Sequence, residues 1–138
     1  MDKAEIGAID AGYLVLLGVA KGDTGSDVDF IIGKVRDLRL FPGPGGDFDL
    51  PVRDAGGRIL IVSQFTLLGE CGKGRRPDWG AAAGAGEAEP LYRAVIDGLR
   101  DEGLDVREGR FGARMAVNLV NDGPVTILLD SGKAENRK

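Results

Sequence analysis

Three short segments hold the residues whose types and spacing can do chemistry. In Ser63-Gln64-Phe65-Thr66-Leu67, two hydroxyls and a carboxamide surround an aromatic ring, directly after the apolar run 59–62. A strand end can aim backbone N–H groups at a ligand while the sheet holds them still, and such groups can stabilise the oxyanion of an ester under attack. The plainer alternative is that Ser63 and Thr66 close a strand and Phe65 fills the core. In Asn121-Asp122-Gly123-Pro124-Val125-Thr126, Asp-Gly is a strong hairpin signal. The proline adds something, because a glycine before proline takes conformations closed to other residues and the X-Pro bond can be cis. A rigid Gly123-Pro124 at a hairpin tip would project carbonyl oxygens in fixed directions, as a steric gate does. In Lys73-Gly74-Arg75-Arg76-Pro77, three cations in four residues can meet the phosphates of RNA, or can simply be a solvated cluster. Cys71 beside them has no neighbour that calls for reactivity.

Composition removes several mechanisms. The chain has no histidine, so Ser-His-Asp and Cys-His catalysis and a histidine-ligated metal are excluded. One cysteine builds neither a thiolate metal site nor an internal disulfide. No cofactor is expected. The net charge of −4 argues against non-specific phosphate binding, which leaves the basic loop as a local feature. The length of 138 residues fits one domain, 1–138, with 131–138 expected as a frayed tail. No apolar run approaches a membrane span, and the first residues lack the apolar centre of a signal peptide, so a cytoplasmic protein is expected. Neither a P-loop nor a dinucleotide-binding glycine pattern is complete, and Ser63 lacks the glycines of a nucleophile elbow.

The elements that would position these segments follow from periodicity. The apolar run 13–19 reads as a buried strand. Val28, Ile31, Ile32, Val35 and Leu38 recur at helical spacing, with Ser26 or Asp27 as cap. Phe41-Pro42-Gly43-Pro44-Gly45-Gly46 reads as a loop that stops that helix. Residues 59–65 are β-branched and apolar, as in a central strand. Leu91, Val95 and Leu99 mark a second helix over Glu87–Arg100, with Pro90 in its first turn. Met115, Val117 and Leu119, then Val125, Ile127 and Leu129, alternate as the two strands of a hairpin around residues 121–124. The order predicts an α+β fold, a mixed or antiparallel sheet with two main helices.

Taken together and in this order, Ser63 to Leu67, Gly74 to Pro77, Phe111-Gly112-Ala113 and Asn121 to Thr126 resemble the D-aminoacyl-tRNA deacylase family, as does the early strand 14–20. The resemblance runs from about residue 6 to Ser131. It implies a partial barrel and a homodimer acting on the 3′ acceptor end of aminoacyl-tRNA, with no membrane or DNA partner. Ser63, Gln64, Phe65 and Thr66 would line the catalytic pocket for the terminal adenosine and its ester. Phe111 would contact the adenosine, and Asn121, Gly123 and Pro124 would supply chiral selectivity. A cis Gly123-Pro124 peptide would enter the partner's pocket and exclude L-side chains, so that D-amino acids and glycine fit. Lys73, Arg75 and Arg76 would lie near the acceptor stem. The 2′-hydroxyl of the substrate would assist water, although an alternative view within the family makes Thr66 the nucleophile. The Ser-Gln-Phe form matches the main D-specific group and not the related animal branch.

Family members ordinarily place a strand before the segment matching Glu5 to Ile9, and a sheet without it would show an unpaired edge. That leaves a second functional reading, a catalytically weak or inactive module that binds RNA ends. A third is a Ser or Thr hydrolase of small esters with Lys73 as base.

Overall fold

The computed structural model describes residues 5–132. Its main sheet has three strands, β1 (Gly12–Leu17), β4 (Arg58–Ser63) and β5 (Val106–Glu108), in the order β1-β4-β5. Both pairings are parallel, with Leu17 opposite Ser63 and Ile61 opposite Glu108. β4 takes the centre because it is the most apolar strand, and Ile59 and Ile61 on one of its faces are fully buried. Tyr13, Val15 and Leu17 of β1 alternate onto that same face. A short antiparallel hairpin, β2 (Phe41–Gly43) with β3 (Gly46–Leu50), packs Phe41 against Tyr13 at a ring distance of 5.0 Å.

Two helices cover the buried face. α1 (Gly25–Asp37) contributes Val28 and Val35 to the core, and α2 (Ala85–Asp101) contributes Tyr92, Val95, Ile96 and Leu99. The N-cap of α1 comes two residues or more before the Ser26 or Asp27 cap that its sequence suggests. Thr24 is the N-cap, and the Asp27 carboxylate reaches back to accept the Thr24 N–H at 2.8 Å. That bond satisfies a donor the helix leaves open and holds the Asp27 carboxyl below the usual aspartate range.

The architecture is α+β with two helices, as expected, and the sheets hold both parallel and antiparallel pairs. Several boundaries move. The stretch expected as a loop at 41–46 instead opens the β2–β3 hairpin, with Pro44-Gly45 at its turn, where proline's missing N–H removes no ladder bond. α2 starts at Ala85, so Pro90 lies past its first turn and removes the bond to the Gly86 carbonyl. β4 ends at Ser63, and Phe65–Leu68 form a 3-10 turn. Residues 115–119 and 125–129 form no ladder among the described residues, although their sequence alternates like a hairpin. Apart from the half-buried Met115 they remain exposed, with Leu119 at 60% and Leu128 at 87%. Alternation selects the two faces of an extended segment, and the ladder itself needs a neighbouring strand that the described residues do not place there. Residues 131–132 are described as helical, and the rest of the expected tail lies outside the described residues.

Candidate active site

The three parallel strands end at one edge of the sheet, and the chain leaving each end converges there. Backbone bonds tie the exits together. Gln64 N–H donates to the Leu17 carbonyl at 2.8 Å, and Gly109 N–H donates to the Ile61 carbonyl at 3.0 Å. The carboxyl edge of parallel strands is where α/β sheets place ligands, because the chain departs there into loops while the strands beneath stay rigid. Ser63 is half-buried at the strand end. The Gln64 side-chain amide donates to the Thr66 hydroxyl. Phe65 does not fill the core as the plainer reading had it. It is 57% exposed, and its ring meets Trp79 edge-to-face at 5.4 Å.

Phe111 follows β5 on the same edge. Its ring packs on Tyr92 at 5.4 Å, and the Tyr92 hydroxyl donates to the Ile61 carbonyl at 3.4 Å. Phe111 is thus anchored through Tyr92 to the strand that ends in Ser63. Burial pushes the Tyr92 phenol above its ordinary pKa, so it remains a donor at neutral pH. Beside it, Arg93 grips Glu108 with two hydrogen bonds of 2.8 and 2.7 Å, and Arg100 adds a contact of 3.2 Å. The Arg93 hydrogen bonds hold the Glu108 carboxyl below the usual glutamate range despite its partial burial.

The Asn121–Thr126 turn is built differently. The Asn121 carboxamide oxygen accepts the Val125 N–H at 2.9 Å, and its Nδ2 donates to the Thr126 hydroxyl at 3.0 Å. The Gly123-Pro124 peptide is cis, and Gly123 has φ +145°. A Cβ on Gly123 would stand 2.9 Å from Val125 Cγ2. No hydrogen bond joins this turn to Ser63–Thr66 among the described residues, and every residue of the turn is exposed. The structure therefore brings Ser63, Gln64, Phe65 and Thr66 together and places Phe111 on the same edge. Asn121, Gly123 and Pro124 stand apart on an outward-facing turn.

The basic segment is a loop closed by paired backbone bonds between Glu70 and Asp78, of 2.8 and 2.9 Å. Lys73, Arg75 and Arg76 are exposed on it and make no ion pair with a described residue. Lys73 has no hydrogen bond to Ser63 or Thr66, which leaves the small-ester reading without a base. Trp79, Tyr92, Arg93 and Glu108 escape the sequence reading. Trp79 is the one tryptophan in the chain and sits directly after the basic loop, a signal that could have drawn notice. Arg93 and Glu108 are 15 residues apart with no shared motif, and only the fold pairs them.

Comparison with known proteins follows the same lines. Residues 1–130 match the family model described as D-Tyr-tRNA(Tyr) deacylase. A D-aminoacyl-tRNA deacylase of Brevibacillus brevis is 49% identical over 126 residues, which span 91% of this chain and 87% of the relative. That of Thermus aquaticus is 48% identical over 128 residues, 93% of this chain and 84% of the relative. Among solved structures, one titled c-Myc DNA Unwinding Element Binding Protein superposes with a TM-score of 0.79 at 39% identity, covering 87% of this chain and 82% of that one. A match over nearly the whole chain, at about half identity, leaves one conclusion: the protein belongs to the D-Tyr-tRNA(Tyr) deacylase family.

Proposed function

We propose that this chain hydrolyses the ester of D-aminoacyl-tRNA, freeing the D-amino acid and tRNA as a proofreading step of translation in the cytoplasm. The observation that carries the reading is its near-full-length identity to proteins named D-aminoacyl-tRNA deacylase. The site chemistry supports it. With no histidine in the chain and Thr66 engaged by Gln64, no described side chain is placed to take a proton from a hydroxyl nucleophile. Backbone N–H groups of the Phe65–Thr66 segment, beyond the Gln64 N–H that Leu17 already accepts, polarise the ester carbonyl, and the substrate's 2′-hydroxyl assists the attacking water. Ser63, Gln64, Phe65 and Thr66 line the pocket and Phe111 meets the terminal adenosine. Lys73, Arg75 and Arg76 meet acceptor-stem phosphates.

Chirality is read by Gly123-Pro124, whose carbonyls enter the pocket of a second copy and leave room for D-side chains and for glycine. The outward position of the turn favours this arrangement, since it has no hydrogen bond to the pocket of its own chain. Leu119, Val120 and Leu128, close to it in sequence, are exposed apolar residues of the kind a second copy covers. The direct test is release of D-tyrosine and L-tyrosine from charged tRNA, with glycyl-tRNA in parallel. Rapid loss of the D-ester with survival of the L-ester is expected, and equal rates on both would sink the proposal. The rival reading, an acceptor-end binder without turnover, predicts salt-dependent binding while both esters survive.

A further inference from the structure

A cavity lies outside the Ser63–Thr66 segment. It measures about 400 Å³ and is lined by Ile6, Glu89, Arg93, Glu108, Arg110 and Phe111, with the backbone of Gly109 between the last three. One wall is the exposed start of α2, and the other is the chain leaving β5. The segment carrying Ile6 packs tightly beneath, since a Cβ on Gly7 would fall 2.5 Å from the Glu108 carbonyl oxygen. Phe111 reaches the cavity with its ring backed by Tyr92, which makes it a rigid surface rather than a loose one.

The charges here are not equivalent. Arg93 and Arg100 are committed to Glu108. Arg110 is exposed, and its guanidinium makes no hydrogen bond or ion pair with a described residue. Glu89 across the cavity is exposed and likewise unpaired. A free guanidinium and a free carboxylate, on either side of a nucleotide-sized space beside an aromatic ring, match a phosphodiester and a base amine.

We infer that this cavity seats the nucleotide that precedes the terminal adenosine of the tRNA. The inference rests on the deacylase reading, in which Phe111 meets the adenosine. Transfer RNA ends in C-C-A, so the occupant is a cytidine. Arg110 holds the phosphate between the last two nucleotides, and Glu89 accepts from the cytosine N4 amine, the exocyclic donor by which a carboxylate selects that base. Ile6 gives the ribose an apolar floor. The site lengthens recognition from one nucleotide to two and sets the direction in which the acceptor end leaves the pocket.

The experiment compares two esters of the same D-amino acid, one on full tRNA and one on adenosine alone. Arg110→Ala should raise the KM for the tRNA ester about tenfold more than for the adenosine ester, as loss of one charged phosphate contact does. Its salt dependence should become shallower by about 0.7 in the log–log slope. Arg110→Lys should recover part of the loss. A tRNA with uridine in place of the penultimate cytidine should be a poor substrate, because uridine presents an acceptor to Glu89, and Glu89→Gln should rescue it. Equal effects of Arg110→Ala on both esters, or none on either, would overturn the assignment while leaving the deacylase reading intact. No turnover of either ester by the unmodified protein would remove both.

Discussion

Asn121 holds Val125 across the Gly123-Pro124 turn: its side-chain oxygen accepts the Val125 N–H at 2.9 Å while its amide nitrogen reaches Thr126. Every residue of the turn is exposed, so these two bonds more than packing determine where its carbonyls point. Asn121→Ala should cost stability only about 1 kcal/mol, the value of ordinary hydrogen bonds near solvent. Activity should fall much further, about a hundredfold, because a displacement near 1 Å in a positioning element costs that much. Parallel melting curves and D-tyrosyl-tRNA hydrolysis measure the two effects, and proportionate losses would argue against a positioning role.

Gly123→Ala tests the same turn from the backbone. The residue has positive φ, and a new Cβ would stand 2.9 Å from Val125 Cγ2. Holding alanine there costs about 1–3 kcal/mol, which the turn relieves by shifting. D-specific hydrolysis should collapse while the far-ultraviolet dichroism stays unchanged. A variant that still cleaves only D-esters at the original rate would refute the gate.

Thr66→Ala separates two chemistries. The Thr66 hydroxyl accepts from Gln64 and has no base beside it among the described residues. The variant should therefore keep activity to within about tenfold, whereas a nucleophile's removal typically costs several powers of ten. A tRNA ending in 2′-deoxyadenosine should resist hydrolysis by the unmodified protein. Abolished turnover in the variant, with brisk turnover of the deoxy substrate, would make Thr66 the nucleophile.

Glu108 gives a prediction in acid. Its carboxyl titrates below the ordinary 4.5, chiefly because Arg93 hydrogen-bonds the ionised form. The ionised form is thus favoured in the fold, so the stabilisation is fully present above about pH 4.5 and is lost as pH falls through the lowered folded value. Arg93 is 42% exposed on its side chain, so solvent screening limits the effect to about 1 kcal/mol or less. Glu108→Gln should lower the melting temperature by about 3 °C at pH 7. The gap between variant and wild type should narrow toward pH 3. A gap that stays constant over that range would show that Arg93 and Glu108 are not coupled.

Leu128→Asp probes the apolar surface. Leu128 is among the most exposed large hydrophobic residues, so a charge there should leave the monomer's core untouched. If a second copy covers this surface, sedimentation should show a dimer for the wild type and a monomer for the variant, and deacylation should disappear with the dimer. A wild-type monomer with full activity would rule out a gate acting between subunits.

What the sequence determined by itself was local. Helical spacing of Val28, Ile31, Ile32 and Val35 located α1, and the apolar run 59–62 located β4, because those patterns depend only on the geometry of one element. The Asn121–Thr126 segment was legible as a turn, since its bonds span five residues or fewer, but not as the tip of the expected hairpin, which forms no ladder among the described residues. The family, too, was readable from motif order. Tertiary structure decided the rest. Parallel pairing of β1, β4 and β5 joins strands far apart in the chain, so no turn residue announces it. That pairing sets Ser63, Gln64 and Phe111 on one edge. It also brings Arg93 to Glu108 and leaves Arg110 and Glu89 unpaired across a cavity. The alternating residues at 115–119 and 125–129 show the converse limit: an alternating pattern says which side chains share a face, and only a neighbouring strand makes a ladder of them.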